Sequence, residues 1–299
     1  MRIATTQIFQ QSMNSLLDQQ AKLARTQQQI SSGERLLSPA DDPVAAARIL
    51  DLESVTAQID QYQSNADAAE ARLTREETAL SSAVDLLQRV RDLAVRANND
   101  TLSAEDRGAI AVEVRATLDG LLQLANTRDA NGEYLFAGYR TDTEPFSHDG
   151  AGTFSYAGDD GQRSHQIGAT RQLVSGDPGS AVFMGLTTAS GTDSVFGVLY
   201  DFAADLDADA PDPATLTDLD AALDQVLTVQ ASIGGRMNAL DDQRGINESF
   251  KLTTETTRSQ LADLDYAEAI TRFNLQLTAL EAAQQTFVKV QGLSLFNYL

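Results

Sequence analysis

"LESVTAQIDQYQSNADAAEARLTREETALSSAVDLLQRVRDLAVRA" runs from Leu52 to Ala97, and its spacing is the strongest structural signal in the chain. Steps of three and four alternate through positions 52, 55, 59, 62, 66, 69, 73, 76, 80, 83, 87, 90, 94 and 97. They give Leu, Val, Ile, Tyr, Ala, Ala, Leu, Glu, Leu, Ala, Leu, Val, Ala and Ala. Such a seven-residue repeat lays one apolar stripe along a helix, and the stripe must pack against other helices. Glu76 is its one polar member. At about 1.5 Å per residue the stripe is roughly 69 Å long, more than a compact globule of this size needs. The expectation is a mainly α, elongated bundle or coiled-coil rod, with Leu52, Val55, Ile59, Leu73, Leu80 and Leu87 in its core.

Ahead of the stripe, Asp42 is placed to cap the start of this helix and Pro43 to open it, since the missing N–H of proline costs nothing in the first turn. Capping accounts for Asp41 and Asp42 better than metal ligation does. A second helix is expected after Ser103, with Asp106 three residues on forming a partial capping box. Ile110, Val114, Leu118, Leu121 and Ala125 then share one face. No proline occurs between Pro43 and Pro145.

The middle of the chain differs. Of 19 glycines, 12 lie between Gly132 and Gly197, where they break up short runs such as "TFSYAG", "SHQIG", "QLVSG" and "AVFMG". These read as strands joined by tight turns. Tyr134, Leu135 and Phe136 are expected to anchor this insert on the helices. An acidic linker, "DFAADLDADAPDPATL", follows. A further helix then begins around Asp212 and Pro213, with Leu216, Leu219, Leu223, Val226, Ile233, Met237 and Leu240 on one face. The expected divisions are an N-terminal arm at 1–40, a first helical half at 41–133, a β-rich insert at 134–205, a second helical half at 206–265 and a C-terminal arm at 266–299.

The two arms share a thinner seam. Phe9, Leu16, Leu23, Ile30 and Leu37 recur every seven residues, joined by Met13. Tyr266, Phe273, Leu280 and Phe287 do the same in the last arm, joined by Ile270 and Leu277 and followed by Phe296, Tyr298 and Leu299. Chain ends are usually polar. An apolar one suggests that other subunits supply its burial surface and that the arms order on assembly. An intramolecular coiled-coil stem is the alternative reading.

The net charge is −21, with +2 on residues 1–40, 0 on 266–299 and −23 on the body between them. An acidic chain repels nucleic acid and anionic membranes. With no cysteine, disulfides, thiolate metal sites and a cysteine nucleophile are excluded. The start, "MRIATTQIFQQSM", lacks the apolar core of a signal peptide. His148 and His165 sit in the turn-rich insert without paired ligand spacing. Asp205, Asp207 and Asp209 have the opening spacing of a calcium loop, but Ala210 and Leu216 stand where that loop needs glycine and glutamate. No catalytic, cofactor or metal site is expected.

Three segments carry a resemblance: "SSGERLLSPADDPVAAARIL" at 31–50, "LANTRDANGEYLFAGYRTDTEPF" at 124–146 and "LSLFNYL" at 293–299. Together they resemble the bacterial flagellar hook-filament junction proteins, the FlgL-type hook-associated proteins. The N-terminal pattern and apolar C-terminal arm also resemble flagellin; "NGEYLFAGYRTDTEPF" and "SLFNYL" favour the junction proteins. The resemblance implies a flagellin-like, non-enzymatic axial component that forms a ring between hook and filament. Implied partners are copies of itself, the adjacent hook-associated junction protein, flagellin and a flagellar export chaperone, without nucleic acid or membrane insertion. It also implies an extracellular place in the flagellum, reached by type III export without a cleaved signal peptide. Flagellin itself and a generic coiled-coil scaffold are the alternative readings.

Overall fold

The computed structural model describes residues 2–189 and 191–292. It is mainly helical. Among the described residues the helices are α1 (Arg2–Ser32), α2 (Pro43–Ala97), α3 (Ala104–Ala125), α4 (Gly179–Phe183), α5 (Val195–Asp207), α6 (Thr215–Ala262) and α7 (Tyr266–Gly292). The strands are β1 (Phe146–His148), β2 (Phe154–Tyr156), β3 (Ser164–Gln166), β4 (Gln172–Val174), β5 (Leu186–Thr188) and β6 (Gly191–Asp193). The chain divides into a terminal unit, Met1–Gln58 with Ser249–Leu299, and a central unit, Ile59–Glu248.

In the central unit the stripe of α2 is buried from Ile59 to Ala97 at every predicted position. From Ala66 onward its apolar members join one core with Val114, Leu118 and Leu121 of α3, Leu199 and Leu206 of α5, and Leu219, Val226, Ile233 and Leu240 of α6. The α3 start has its capping box: Ser103 Oγ accepts the Asp106 N–H and Asp106 Oδ2 accepts the Ser103 N–H, each at 3.2 Å. Surface arginines tie the helices together outside the core, Arg91 to Asp220 at 2.6 Å and Arg89 to Glu113 at 2.6 Å. Exposed pairs of this kind add little to stability.

Among the described residues the insert has three separate antiparallel strand pairs, β1–β2, β3–β4 and β5–β6, each strand three residues long. So short a ladder cannot stand alone. Its core is aromatic. Phe183 meets Phe136 edge-on with centroids 5.4 Å apart, Phe146 edge-on at 5.5 Å, and stacks on Phe196 at 5.4 Å. Phe146 register-pairs with Tyr156, whose hydroxyl donates to the Phe136 carbonyl at 3.0 Å. Tyr134, Leu135 and Phe136 are all buried.

Two segments differ from the sequence reading. Ala181–Gly185, expected as a strand, overlaps the short helix α4. A strand would send Val182 and Phe183 to opposite faces, yet both are buried in the one core. The Gln225 side-chain amide, reaching from α6, donates to the carbonyls of Ala181, Val182 and Met184 at 2.9–3.1 Å. The helical turn therefore depends on a partner distant in sequence. Second, Val195–Asp207 forms α5 where the sequence reading expects the end of the insert and an acidic linker. Ser194 Oγ caps it by accepting the Gly197 N–H at 2.9 Å. Val195, Leu199, Phe202 and Leu206 recur at helical spacing and are buried; the aspartates between them mask that pattern. The helix stops short of Asp209, which has a φ of 53°, and of Pro211 and Pro213.

Candidate assembly interface

The terminal unit is organised by the turn where α1 ends and α7 begins. Gly33–Arg35 runs antiparallel to residues 262–264: the Arg35 N–H donates to the Ala262 carbonyl at 2.8 Å and the Leu264 N–H to the Gly33 carbonyl at 2.9 Å. The Arg35 guanidinium adds bonds to the Leu261 carbonyl at 3.1 and 2.8 Å, and Gln29 Nε2 donates to the Arg35 carbonyl at 2.6 Å. Gly33 has a φ of +76°, and a Cβ there would stand 2.8 Å from the Tyr266 hydroxyl. The positive φ favours glycine here, while the Tyr266 hydroxyl is the far end of an exposed side chain that can give way. Asp265 Oδ1 caps α7 by accepting the N–H of Ala267 at 2.9 Å and of Glu268 at 3.1 Å. Asp41 pairs with Arg25 and also accepts the N–H groups of Leu37 and Ser38. Arg25 first, and then those amides, hold its carboxyl below the usual carboxylate range. Asp42 Oδ1 caps α2 by accepting the Ala45 N–H at 3.0 Å.

This turn lays α1 and α7 side by side, but their shared seam is shallow. Leu280, Ala269, Thr26 and Gln29 are buried. Leu16, Leu23, Ile30, Phe273 and Phe287 are half-buried. Met13 and Leu277 are exposed, as are Tyr266 at 51% and Ile270 at 49%. The Phe9 side chain and Phe296, Tyr298 and Leu299 lie outside the described residues. The same unit exposes apolar residues outside the predicted seam, among them Leu17, Val44, Leu50, Phe250 and Leu252. An open groove of about 240 Å³ lies among Leu36, Leu37, Pro39, Ile49 and Leu50, rimmed by Glu34, Glu53 and Arg258. Of the residues assigned to the rod core, Leu52, Ile59, Leu73, Leu80 and Leu87 are buried. Val55 is a correction: it is 45% exposed, although Leu52 before it and Ile59 after it on the same stripe are buried.

Glu76 carries more than its place in the stripe reveals. Its polar side chain keeps the buried register at 1% exposure. Oε1 accepts the Asp177 N–H at 2.9 Å, while Oε2 has no hydrogen-bond partner among the described residues. Burial, and then the neighbouring Asp177 carboxylate, push its pKa up to about 8 against the opposing pull of the Asp177 amide, Arg236 and Arg72. Asn65 and Arg72 precede Glu76 on the same helix. They donate to the carbonyls of Gln166 at 2.8 Å and Leu135 at 3.0 Å. From α6, Arg236 pairs with Asp177 and Asn247 donates to the Ile167 carbonyl at 2.9 Å. Two helices thus hold the backbone of the insert by polar side chains at helical spacing. The break in an apolar repeat is the sequence signal that marks this seam.

The remaining candidates have local roles. His148 accepts the Gly150 N–H through Nδ1 at 3.2 Å, and His165 lies in β3, its pKa lowered by burial and then by Arg72 and Arg163. Asp207 pairs with Arg115, and Asp209 with Arg107 at 2.5 Å. No group of three or more His, Cys, Asp or Glu among the described residues could hold a metal ion, and no described helix is long and apolar enough to cross a membrane.

A family model of the bacterial flagellin N-terminal helical region matches residues 3–141, and one of the C-terminal helical region matches residues 216–299. Most of the insert, α4 and α5 fall between the two matches. The chain is 34% identical to flagellar hook-associated protein 3 of Escherichia coli (strain K12), with 99% of each chain covered. It is 32% identical to the protein of the same name in Salmonella typhimurium, again with 99% of each covered. Among solved structures it is similar to a putative flagellar hook-associated protein from Vibrio parahaemolyticus, at 27% identity and a TM-score of 0.67, covering 75% of this chain and 100% of that one.

Proposed function

The chain belongs to the flagellar hook-associated protein 3 family, and from that membership we propose that it is a structural, non-enzymatic adaptor forming a ring between the hook and the filament. In this reading α1 and α7 are the assembly arms, and neighbouring copies complete a seam that one chain leaves half covered. The observation that carries the reading is the exposure of Met13, Tyr266, Ile270 and Leu277 in the paired helices. Apolar side chains repeated at this spacing bury their area in an assembly or remain a liability in water. Segments that gain their burial only on binding order at that moment. The adjacent hook-associated junction protein and flagellin are the partners at the two faces of the ring, and a flagellar export chaperone is a further partner before assembly. The place of action is the extracellular flagellum.

The test is Ile270→Asp together with Leu277→Asp in the cell that makes the protein. The expected result is secretion of a folded chain, loss of its junction and loss of motility. A normally assembled junction in the double variant contradicts the reading. Flagellin is the second reading, favoured by the two flagellin family models. It requires growth of long filaments from seeds by the purified chain, where a ring-former stops short.

A further inference from the structure

We propose that Glu76 is a proton-operated latch, holding the loop of Asp177 on α2 and α6 while its carboxyl is protonated and loosening that loop when it ionises. The loop follows β4 and packs against α2, so closely that a Cβ at Gly176 would come within 2.9 Å of Arg72 Nε. Ser175 is buried, and its N–H donates to the Arg163 carbonyl at 2.8 Å, which fixes the start of the loop. One residue past Gly176, the Asp177 N–H meets Glu76 Oε1 at 2.9 Å and the Asp177 carboxylate pairs with Arg236. Arg236 also donates to the Val174 carbonyl at 3.3 Å. The loop is therefore gripped from α2 by Glu76 and from α6 by Arg236.

The charges that face Glu76 come from each element packed on it. Arg72 stands on its own helix, Asp177 on the loop and Arg236 on α6. Behind Arg72 lies Glu133, 4.0 Å from its guanidinium and 2.7 Å from that of Arg163, with Asp129 acting on Arg72 as well. Arg72 Nε and Glu76 Oε2 both lack a hydrogen-bond partner among the described residues. Ionising Glu76 puts a second carboxylate beside Asp177 in a buried site and makes the two compete for Arg236. A buried charge without its own partner is costly. The protonated acid avoids that cost and still accepts the Asp177 N–H.

The folded chain holds the Glu76 proton to about pH 8, against an ordinary value of 4.5. Because the folded value is the higher one, the stabilisation is complete below the ordinary value and is lost as pH rises through about 8.

The test is hydrogen exchange of the full chain at pH 6, 7, 8 and 9, corrected for intrinsic exchange rates, comparing peptides of residues 174–183 with those of α3. Protection of residues 174–183 is expected to fall by up to about tenfold per pH unit below pH 8, one proton being lost on opening. In Glu76→Gln it stays flat, and α3 is unaffected in both chains. An infrared titration adds a second readout: a protonated-carboxyl band that disappears between about pH 7 and 9 and is absent from Glu76→Gln. Flat protection in the unsubstituted chain overturns the latch even if the variant fails to fold. The same pH dependence in a folded Glu76→Gln chain overturns it as well.

Discussion

The stripe of α2 in the central unit and the seam shared by α1 and α7 in the terminal unit follow the same seven-residue spacing, yet they end in different states. From Ile59 to Ala97 the predicted positions are buried without exception, including a glutamate. Along α1 and α7, Leu280 is buried while Met13, Tyr266, Ile270 and Leu277 are exposed. The central stripe has α3, α5, α6 and an aromatic insert to close on. Periodicity thus announces a helix with an apolar side to cover but does not say whose surface covers it.

The contrast is challenged hardest in the core. Leu80→Ala removes a fully buried side chain of the central unit and is expected to cost about 3 kcal/mol, within the usual range for such truncations. Urea unfolding checks it, and a loss below about 1 kcal/mol would mean that the stripe is not closed. Gly33→Ala comes next. Its φ of +76° predicts about 1–3 kcal/mol of strain. The effect should be confined to the terminal unit, read as faster exchange in peptides spanning residues 29–37 with the α2 stripe unchanged. Ser103→Ala removes the capping box of α3 and should cost about 1 kcal/mol; a thermal melt resolves that shift. Ile270→Ser is the smallest effect on the free chain, less than about 0.5 kcal/mol for an exposed position, while junction assembly in the cell is expected to fail. A large loss of stability in the isolated chain would place Ile270 in a seam that one chain completes alone.

Much of this is legible in the residues. The α2 stripe, the Asp42 cap and the Ser103–Asp106 box are local signals, each written within a few neighbouring positions, although the helices that cover the stripe lie far along the chain. Glu76 is legible only as an interruption, since its partner Asp177 lies 101 residues away. The same holds for α4, whose carbonyls are satisfied by Gln225 from α6. Val195, Leu199, Phe202 and Leu206 do carry a helical spacing, but the aspartates around them make the segment read as a linker. Val55 shows the opposite limit: an apolar residue in register stays exposed when no neighbour closes over it. Local chemistry sets the helix ends, while long-range partners decide what each face becomes.

Whether the two seams differ in this way is read most directly by peptide-resolved hydrogen exchange on the full chain, free in solution and in isolated flagella, comparing α1 and α7 with the α2 stripe. The expected result is fast exchange of α1 and α7 in the free chain, strong protection of the same helices in the flagellum, and a stripe from Ile59 to Ala97 protected in both. Equal protection of arms and stripe in the free chain would contradict assembly by the arms, because the seam would then already be complete within one molecule.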